Sequence, residues 1–343
     1  MRIQTDTPMA RHAPLDLVRM ARGLLALGKE APARDLARRA LAAAPEDPHV
    51  RTLAAEVLSR GVPPWHFSII HDEARNAAYD AALRRAVNPD MTVLEIGAGS
   101  GILSMMAARA GARRVIACEA NAALAEVARE NVARNGYADR VEVIAKLSTD
   151  LDVAADLGGR ADLLVSEIIS NIIVGQQVFP VMAHAAAELL TPDAPMIPAG
   201  ASARVALARA PKLRPRQEIV AAGFDLSALG RLAKAQLPFP VGDKDLILAG
   251  PAADLFAFDF RTAPTAGEAS IVLEAEDPAN CVAQWLELRM DSAGRYENRP
   301  APGAKSCWSV IVWPLGAEMG PGDRLTVRGA YEADALQIWA EQP

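Results

Sequence analysis

Apolar positions along the chain fall into three textures. Residues 15 to 60, dominated by Ala, Leu and Arg, place them three and four apart in three runs separated at Gly28 to Pro32 and Ala44 to Pro48. That spacing lays an apolar stripe along one side of a helix, so three short helices are expected. Between Val62 and Pro198 the apolar runs MTVLEIG, RVIACEA, RVEVIA and ADLLVSEI alternate with helical patterns. Continuous apolar runs are what strands buried on both faces require, which predicts an open α/β sheet with parallel strands. After Pro198 the period shortens to two: Phe256, Phe258 and Phe260 share a face of DLFAFDF, and Val282, Leu286, Leu288 and Met290 share one of CVAQWLELRM. The last part is therefore mostly antiparallel β. Its first strand is expected at ASARVALA, just past the Pro- and Gly-marked boundary at Ile197 to Gly200, and GFDLSALGRLAKAQL reads as a helical excursion. Three regions follow: a helical segment over 1–61, the sheet over 62–198, and the β region over 199–343.

Composition narrows the function. With 343 residues, 51% hydrophobic and 23% charged, the chain can bury a sizeable core without disulfides or metal staples. Lys plus Arg number 36 against 42 Asp plus Glu, a net charge of −6, the wrong sign for a phosphate-binding surface, so no direct nucleic-acid binding is expected. Cys118, Cys281 and Cys307 lie far apart, in a pattern that builds neither a zinc site nor a disulfide framework. The stretch MRIQTDTPMARHAPLDLVRM has no apolar core followed by a small-residue cleavage site, so a secretory signal is not expected. The longest stretch free of Asp, Glu, Lys and Arg, Ile168 to Ala187, holds Ser170, Asn171, Gln176, Gln177, Pro180 and His184 and is too polar to span a membrane. A cytoplasmic protein with no metal and no membrane partner is expected. Within the helical segment, Gly28, Ala33, Ala37, Ala40 and Pro45 fall at offsets resembling one tetratricopeptide repeat. One and a half such repeats bury no continuous core alone, which leaves either a cap on the rest of the protein or a partner-docking module.

VLEIGAGSGILS carries the cofactor signal. Gly97, Gly99 and Gly101 stand between a strand and a helix, where the absence of a Cβ lets backbone approach a ligand. Dinucleotide sites use a similar turn, so the nearby acids decide. Glu95 precedes the first glycine by two and can meet the ammonium of an amino-acid moiety. Glu119 ends the next strand, where a carboxylate accepts both ribose hydroxyls. An acid on each strand end, with no phosphate to cradle, points to S-adenosyl-L-methionine rather than NAD.

With these residues in view, WHFSIIHDEARNAAYDAAL followed by VLEIGAGSGILSMMAARAGARRVIACEA resembles the protein arginine methyltransferase family. The likeness runs from residue 65 to 343 through LLTPDAPMIPAGAS, GFDLSALG, FAFDF, SCWSVIVWPL and GDRLTV, and is nearest the branch with tandem catalytic modules, some of whose members carry tetratricopeptide repeats. It implies a class I Rossmann-like methyltransferase domain over 62–198 and a β-barrel-like substrate and dimerisation domain over 199–343. By resemblance, the segment around His66 and Phe67 folds over the cofactor, Arg75 pairs with its carboxylate, and Asp72 sits near the acceptor. Guanidinium and carboxylate suit one another as a bidentate pair. Lys146, Leu147 and Ser148 fall where the family lays the adenine, with Ser148 in place of its acidic residue. The family's dimer implies a homodimer with an arm near residues 223 to 240.

The implied chemistry is methylation of a protein or peptide acceptor. A guanidinium is a poor nucleophile, protonated below pH ~12 and delocalised. The family localises its lone pair with two glutamates on one hairpin. The first is Glu167; the second, nine positions on, is Gln176 here, which accepts a hydrogen bond but brings no charge. The family's Thr-His-Trp loop reads Ser306, Cys307, Trp308. A thiol titrating near ~8.5 does not replace the histidine that pairs with the aspartate matching Asp72. Cys307 and Trp308 are expected at the substrate site, Cys307 as a buried apolar thiol. Three readings stand at this point: an arginine methyltransferase relying on Glu167, a methyltransferase of a less cationic acceptor, or a weakly active cofactor-binding scaffold.

Overall fold

A computed structural model describes residues 13–175, 177–213, 219–262, 265–332 and 334–341. Two compact units divide the chain, Met1–Pro64 and Trp65–Pro343. The first holds the three expected helices, α1 (Pro14–Ala26), α2 (Glu30–Ala43) and α3 (Pro48–Leu58). Gly28 breaks the chain between α1 and α2 with φ +72°, and Asp47 caps α3 by accepting from the N–H groups of His49 and Val50. Pro32 falls in the first turn of α2, where a missing N–H breaks no helical bond. Ala33, Ala37 and Ala40 are fully buried against Val18, Ala21, Val50 and Ala54, a separate small core.

The second unit opens with α4 (Trp65–Ile69) and α5 (Glu73–Ala86), then alternates β1 (Thr92–Ile96), α6 (Ile102–Ala110), β2 (Arg114–Cys118), α7 (Ala122–Arg134), β3 (Val141–Ile144), β4 (Leu163–Ser166), α8 (Val178–His184) and β5 (Met196–Ile197). The strands form one parallel sheet in the order β3-β2-β1-β4-β5. All five residues of central β1 are buried, as its continuous apolar run requires. The carboxyl ends of β1, β2 and β4 lie side by side, which brings Glu95, Glu119 and Glu167 to one edge.

The remainder is antiparallel: β6 (Gly200–Arg209), β7 (Val220–Ala221), β8 (Phe224–Asp225), β9 (Leu237–Phe239), β10 (Ile247–Leu248), β11 (Ala253–Asp259), β12 (Gly267–Glu274), β13 (Ala279–Arg289), β14 (Arg295–Glu297), β15 (Val310–Met319), β16 (Arg324–Glu332) and β17 (Ala335–Glu341). A seven-stranded sheet runs β10-β6-β13-β15-β9, with β11 on β6 and β14 on β13; a three-stranded sheet runs β12-β16-β17. The larger sheet curls into a barrel-like layer. The period-two reading of β13 is half its story: Val282, Leu286 and Leu288 face the main core, while Cys281, Ala283 and Trp285 fill a second cluster with Ala206, Ala208, Val310 and Val312.

The segment expected as a helical excursion takes another form. Phe224–Asp225 pair with Val220–Ala221, a short 3₁₀ turn spans Ser227–Leu232, and β9 follows. Phe224, Leu229 and Leu232 are 69%, 53% and 83% exposed. With no surface to pack against, an apolar stripe gives a short helix no stability, and the Asp225 carboxylate instead takes the Ser227 N–H at 2.9 Å in a tight turn.

Phe179 of α8 joins the parallel sheet to the barrel-like layer. Its ring, 1% exposed, lies 4.9 Å from that of Phe258 and edge-on to Tyr331 at 6.0 Å. Phe179→Ala should lower unfolding free energy by about 3–5 kcal/mol, the range for large aromatic truncations in a packed core, read as a drop in the urea midpoint with an unchanged slope.

Candidate active site

β1 delivers the chain into the glycine turn with the N–H groups of Gly97 and Ala98 both held by the Cys118 carbonyl, at 2.9 and 3.1 Å. Gly97 has φ +81°, and a Cβ there would stand 2.6 Å from Cγ2 of Ile168, so only glycine fits. Gly99 and Gly101 complete the turn, Gly101 at the head of α6. The Glu119 carboxylate accepts from the N–H of Gly99 at 2.9 Å and of Asn121 at 2.8 Å, which fixes it beside the turn with lone pairs to spare. Glu95 is 1% exposed and accepts from the Ser104 hydroxyl. Burial pushes its carboxyl up to about 8.

His66 on α4 reaches this turn. A Cβ on Gly99 would lie 3.8 Å from its Nδ1, and Trp65 stacks on its ring at 3.7 Å. Burial lowers the His66 pKa, against an upward pull from Glu119. Phe67 and Leu147 are 65% and 56% exposed, whereas Ser148 is buried at the start of a 3₁₀ turn. Lys146 is taken up by Asp156 at 2.7 Å.

The second cluster gathers residues from three distant parts of the chain. Glu167, directly after β4, pairs with Arg75 of α5 at 3.0 Å, both side chains 4% exposed. Arg75 also donates to Asn76 Oδ1 at 2.6 Å and lies over the Tyr79 ring, while its Nε is buried without a partner. Asp72 caps α5 by accepting the Arg75 N–H at 2.9 Å; its other oxygen accepts from the Tyr296 hydroxyl and the Cys307 N–H, both at 2.9 Å. Tyr296 is also 2.7 Å from the Ser306 hydroxyl. The Trp308 indole N–H donates to the Ile169 carbonyl at 2.9 Å, tying this loop to the hairpin after Glu167. Beside this cluster is a cavity of about 170 Å3 lined by Trp65, Glu167, Asn171, Cys307 and Trp308.

Burial pushes the Glu167 carboxyl up to about 7 against the pull of Arg75. Burial also acts upward on Asp72, but its hydrogen bonds from the Arg75 N–H, the Cys307 N–H and thiol, and the Tyr296 hydroxyl outweigh it and hold that carboxyl below the usual range. The Cys307 thiol is raised, first by burial and then by Glu167 and Asp72, so it stays neutral. Asp72, Arg75, Glu167, Cys307 and Trp308 therefore lie together, but Arg75, expected on the cofactor carboxylate, pairs here with Glu167, and Cys307, expected as a buried apolar thiol, is half-buried beside Asp72, Arg75 and Glu167. Gln176 lies outside the described residues. Ser306, first residue of the loop that resembles the family's Thr-His-Trp, joins the site, as do Tyr296, Asn171 and Tyr79 without a local signal: Tyr296 stands on β14, and nothing in its spacing ties it to Asp72.

These residues fit S-adenosyl-L-methionine. A buried carboxyl at Glu95 with one hydroxyl partner suits an ammonium, Glu119 keeps acceptors for a diol, and the unpartnered Arg75 Nε is a donor for a carboxylate. A group whose folded pKa is raised favours folding below its unfolded pKa of 4.5, and that stability is lost as pH rises through about 8. Glu95→Gln should therefore gain on the wild type by on the order of 2 kcal/mol between pH 5.5 and 8.5, measured by urea unfolding of the cofactor-free protein at both pH values; parallel curves would remove the assignment of a neutral Glu95.

The chain is similar to known methyltransferases along most of its length. The family model for ribosomal protein L11 methyltransferase (PrmA) matches residues 80–201. An arginine N(omega)-methyltransferase of Streptomyces achromogenes subsp. streptozoticus is 37% identical over 291 residues, covering 83% of this chain and 80% of that one. Protein arginine N-methyltransferase 7 of Drosophila persimilis is 35% identical over 265 residues, 68% of this chain, which spans 38% of that longer protein. Among solved structures, the Trypanosoma brucei PRMT1 enzyme-prozyme heterotetrameric complex with AdoHcy superposes with TM-score 0.69 at 23% identity, over 83% of this chain and 100% of that one. The turn and its flanking carboxylates, the buried Glu167 and the barrel-like layer together accord with these likenesses, and the chain belongs to the arginine methyltransferase family of class I S-adenosyl-L-methionine-dependent enzymes.

Proposed function

We propose that this enzyme methylates an ω-nitrogen of arginine in a protein or peptide, with Glu167 as the carboxylate that receives the guanidinium. The observation that carries this is a carboxylate 4% exposed at the wall of a cavity, held by one cation. S-adenosyl-L-methionine supplies a methyl group made electrophilic by the adjoining sulfonium and leaves as S-adenosylhomocysteine. Glu95, Glu119, Arg75 and the turn at Gly97, Gly99 and Gly101 would hold it, with His66, Phe67, Leu147 and Ser148 around its nucleoside side.

Glu167 then does three things. Its oxygens accept two guanidinium N–H groups, which orients the remaining nitrogen toward the methyl. The incoming cation draws its proton affinity down from near 7, so the complex forms with an ionised carboxylate. As the new N–C bond forms, the guanidinium becomes a stronger acid, and the displaced proton passes to Glu167. Asp72 stays ionised and holds the N-terminus of α5, hence Arg75, against this carboxylate. Trp65 and Trp308 exclude water. Gln176, at the position of the family's second glutamate, lowers the charge presented to the acceptor and is a specificity residue in this reading.

The Streptomyces relative is named for arginine and the Drosophila relative for protein arginine, so free arginine is the second reading of the acceptor. Labelled S-adenosyl-L-methionine with an arginine-rich peptide and with free arginine separates the two. The homodimer rests on the family likeness and on the exposed Phe224, Leu229 and Leu232 within 223–240. The three unpaired thiols suit a reducing cytoplasm, and among the described residues no helix is long and apolar enough to cross a membrane. The tetratricopeptide likeness of residues 1–61 rests on the spacing of their small residues alone.

Glu167→Gln should reduce methyl transfer at least ~100-fold while S-adenosylhomocysteine binding, measured calorimetrically, stays within about twofold; transfer at the wild-type rate would remove Glu167 from the reaction. Gln176→Glu should raise turnover on arginine, and a loss of turnover would make the amide part of acceptor recognition. Phe224→Asp with Leu232→Asp should convert a dimer to a monomer in light scattering, and an unchanged mass would discard the arm.

A further inference from the structure

The loop that carries Cys307 and Trp308 has no basic side chain facing Asp72, and the raised thiol of Cys307 does not supply one. From that loop the backbone N–H of Cys307 donates to the carboxylate at 2.9 Å, and the neutral thiol of Cys307 adds only a weak S–H contact. A further donor comes from elsewhere in the barrel-like layer. Tyr296 of β14, opposite Leu288 of β13, is 6% exposed, and its hydroxyl lies 2.9 Å from Oδ2 of Asp72.

The direction of this bond follows from what each group is able to donate. An ionised carboxylate only accepts, so the Tyr296 proton points to Asp72. The Ser306 hydroxyl, 2.7 Å away, then donates to the Tyr296 oxygen, and itself accepts the Trp308 N–H at 3.1 Å. One directed chain runs from the Trp308 backbone through Ser306 and Tyr296 to Asp72. The Tyr296 ring packs against that of Trp308 at 5.6 Å, and the Trp308 indole holds the Ile169 carbonyl two residues beyond Glu167. On the other side, Asp72 caps α5 through Arg75, whose guanidinium grips Glu167.

Resting on the reading of Glu167 as the acceptor carboxylate, we propose that Tyr296 is a positioning residue of the methyl transfer. Its hydroxyl takes the place of a basic side chain on the loop as the oxygen-based side-chain donor to Asp72, stronger than the weak thiol of Cys307, and locks both walls of the acceptor cavity to one another. It touches no reacting atom. Its action runs through Asp72 to Arg75 and Glu167, and through Ser306 to Trp308. A buried ionised carboxylate needs several donors to remain charged, and Tyr296 supplies the hydroxyl among those at Asp72.

Tyr296→Phe removes the hydroxyl and keeps the ring against Trp308. It should lower kcat about tenfold, the effect of losing one hydrogen bond to a charged group, with KM for S-adenosyl-L-methionine within about twofold of wild type. In carbon-detected NMR of the cofactor-free protein, the Asp72 carboxyl should titrate at higher pH in the Phe variant, a change that loss of packing alone does not produce. Ser306→Ala should lower kcat less, and should add little once Tyr296 is Phe, because it acts through the same oxygen. Wild-type kcat with an unmoved Asp72 titration in Tyr296→Phe would overturn the proposal; a lowered melting temperature with unchanged kcat would assign Tyr296 to packing only and overturn it equally. The kcat comparison is made on whichever acceptor the wild type methylates. Absence of transfer to any arginine by the wild type would defeat the Glu167 reading, while the Asp72 titration would still decide whether Tyr296 governs that carboxylate.

Discussion

The site depends on one buried ion pair, Arg75 with Glu167. Each side chain is 4% exposed, and neither charge is tolerable there without the other. Such a pair adds little net stability, since desolvation consumes most of the attraction, but losing one partner strands the second. Its value here lies in placement. Arg75 sits in the first turn of α5 and Glu167 at the carboxyl end of β4, so the contact aligns a helix that precedes the parallel sheet with the hairpin that follows its fourth strand. Asp72 extends the alignment to the barrel-like layer through Tyr296 and Cys307. Three segments, the outer two more than two hundred residues apart, thus converge on one short path of polar contacts.

That path explains why two acids in one fold carry opposite shifts. Asp72 has three donors at bonding distance and is held low; Glu167 has one cation and one long N–H contact, and burial dominates. Glu95 is more extreme, with a hydroxyl and no cation. Two of the three carboxyls at the sheet edge are therefore short of positive charge before any ligand arrives. A cofactor ammonium and an acceptor guanidinium, the partners proposed above for Glu95 and Glu167, are the complementary species.

Much of this was legible in the chain. Continuous apolar runs marked β1 to β4, because strands covered on both faces have no polar side to show, and the glycine turn with Glu95 and Glu119 followed from local spacing. Residues whose partners are distant were less visible. Tyr296 is an ordinary strand aromatic until β14 pairs with β13 and carries it beneath Asp72. The segment at Gly223 to Leu237 misled because its apolar spacing is helical while its apolar side chains stay in solvent, where local turn bonds decide the backbone. Trp285 and Cys281 escaped the period-two reading because β13 is a central strand with a core on each face.

The contact between Gly97 and Ile168 has its own consequence. The missing Cβ of Gly97 is the space that the Ile168 side chain occupies, and Ile168 adjoins Glu167. The turn that meets one ligand and the hairpin that meets the other therefore share a partition a single side chain thick. A shift of either surface is transmitted across it by steric contact. Whatever free energy such a contact carries between the two surfaces is reciprocal, the same in either direction.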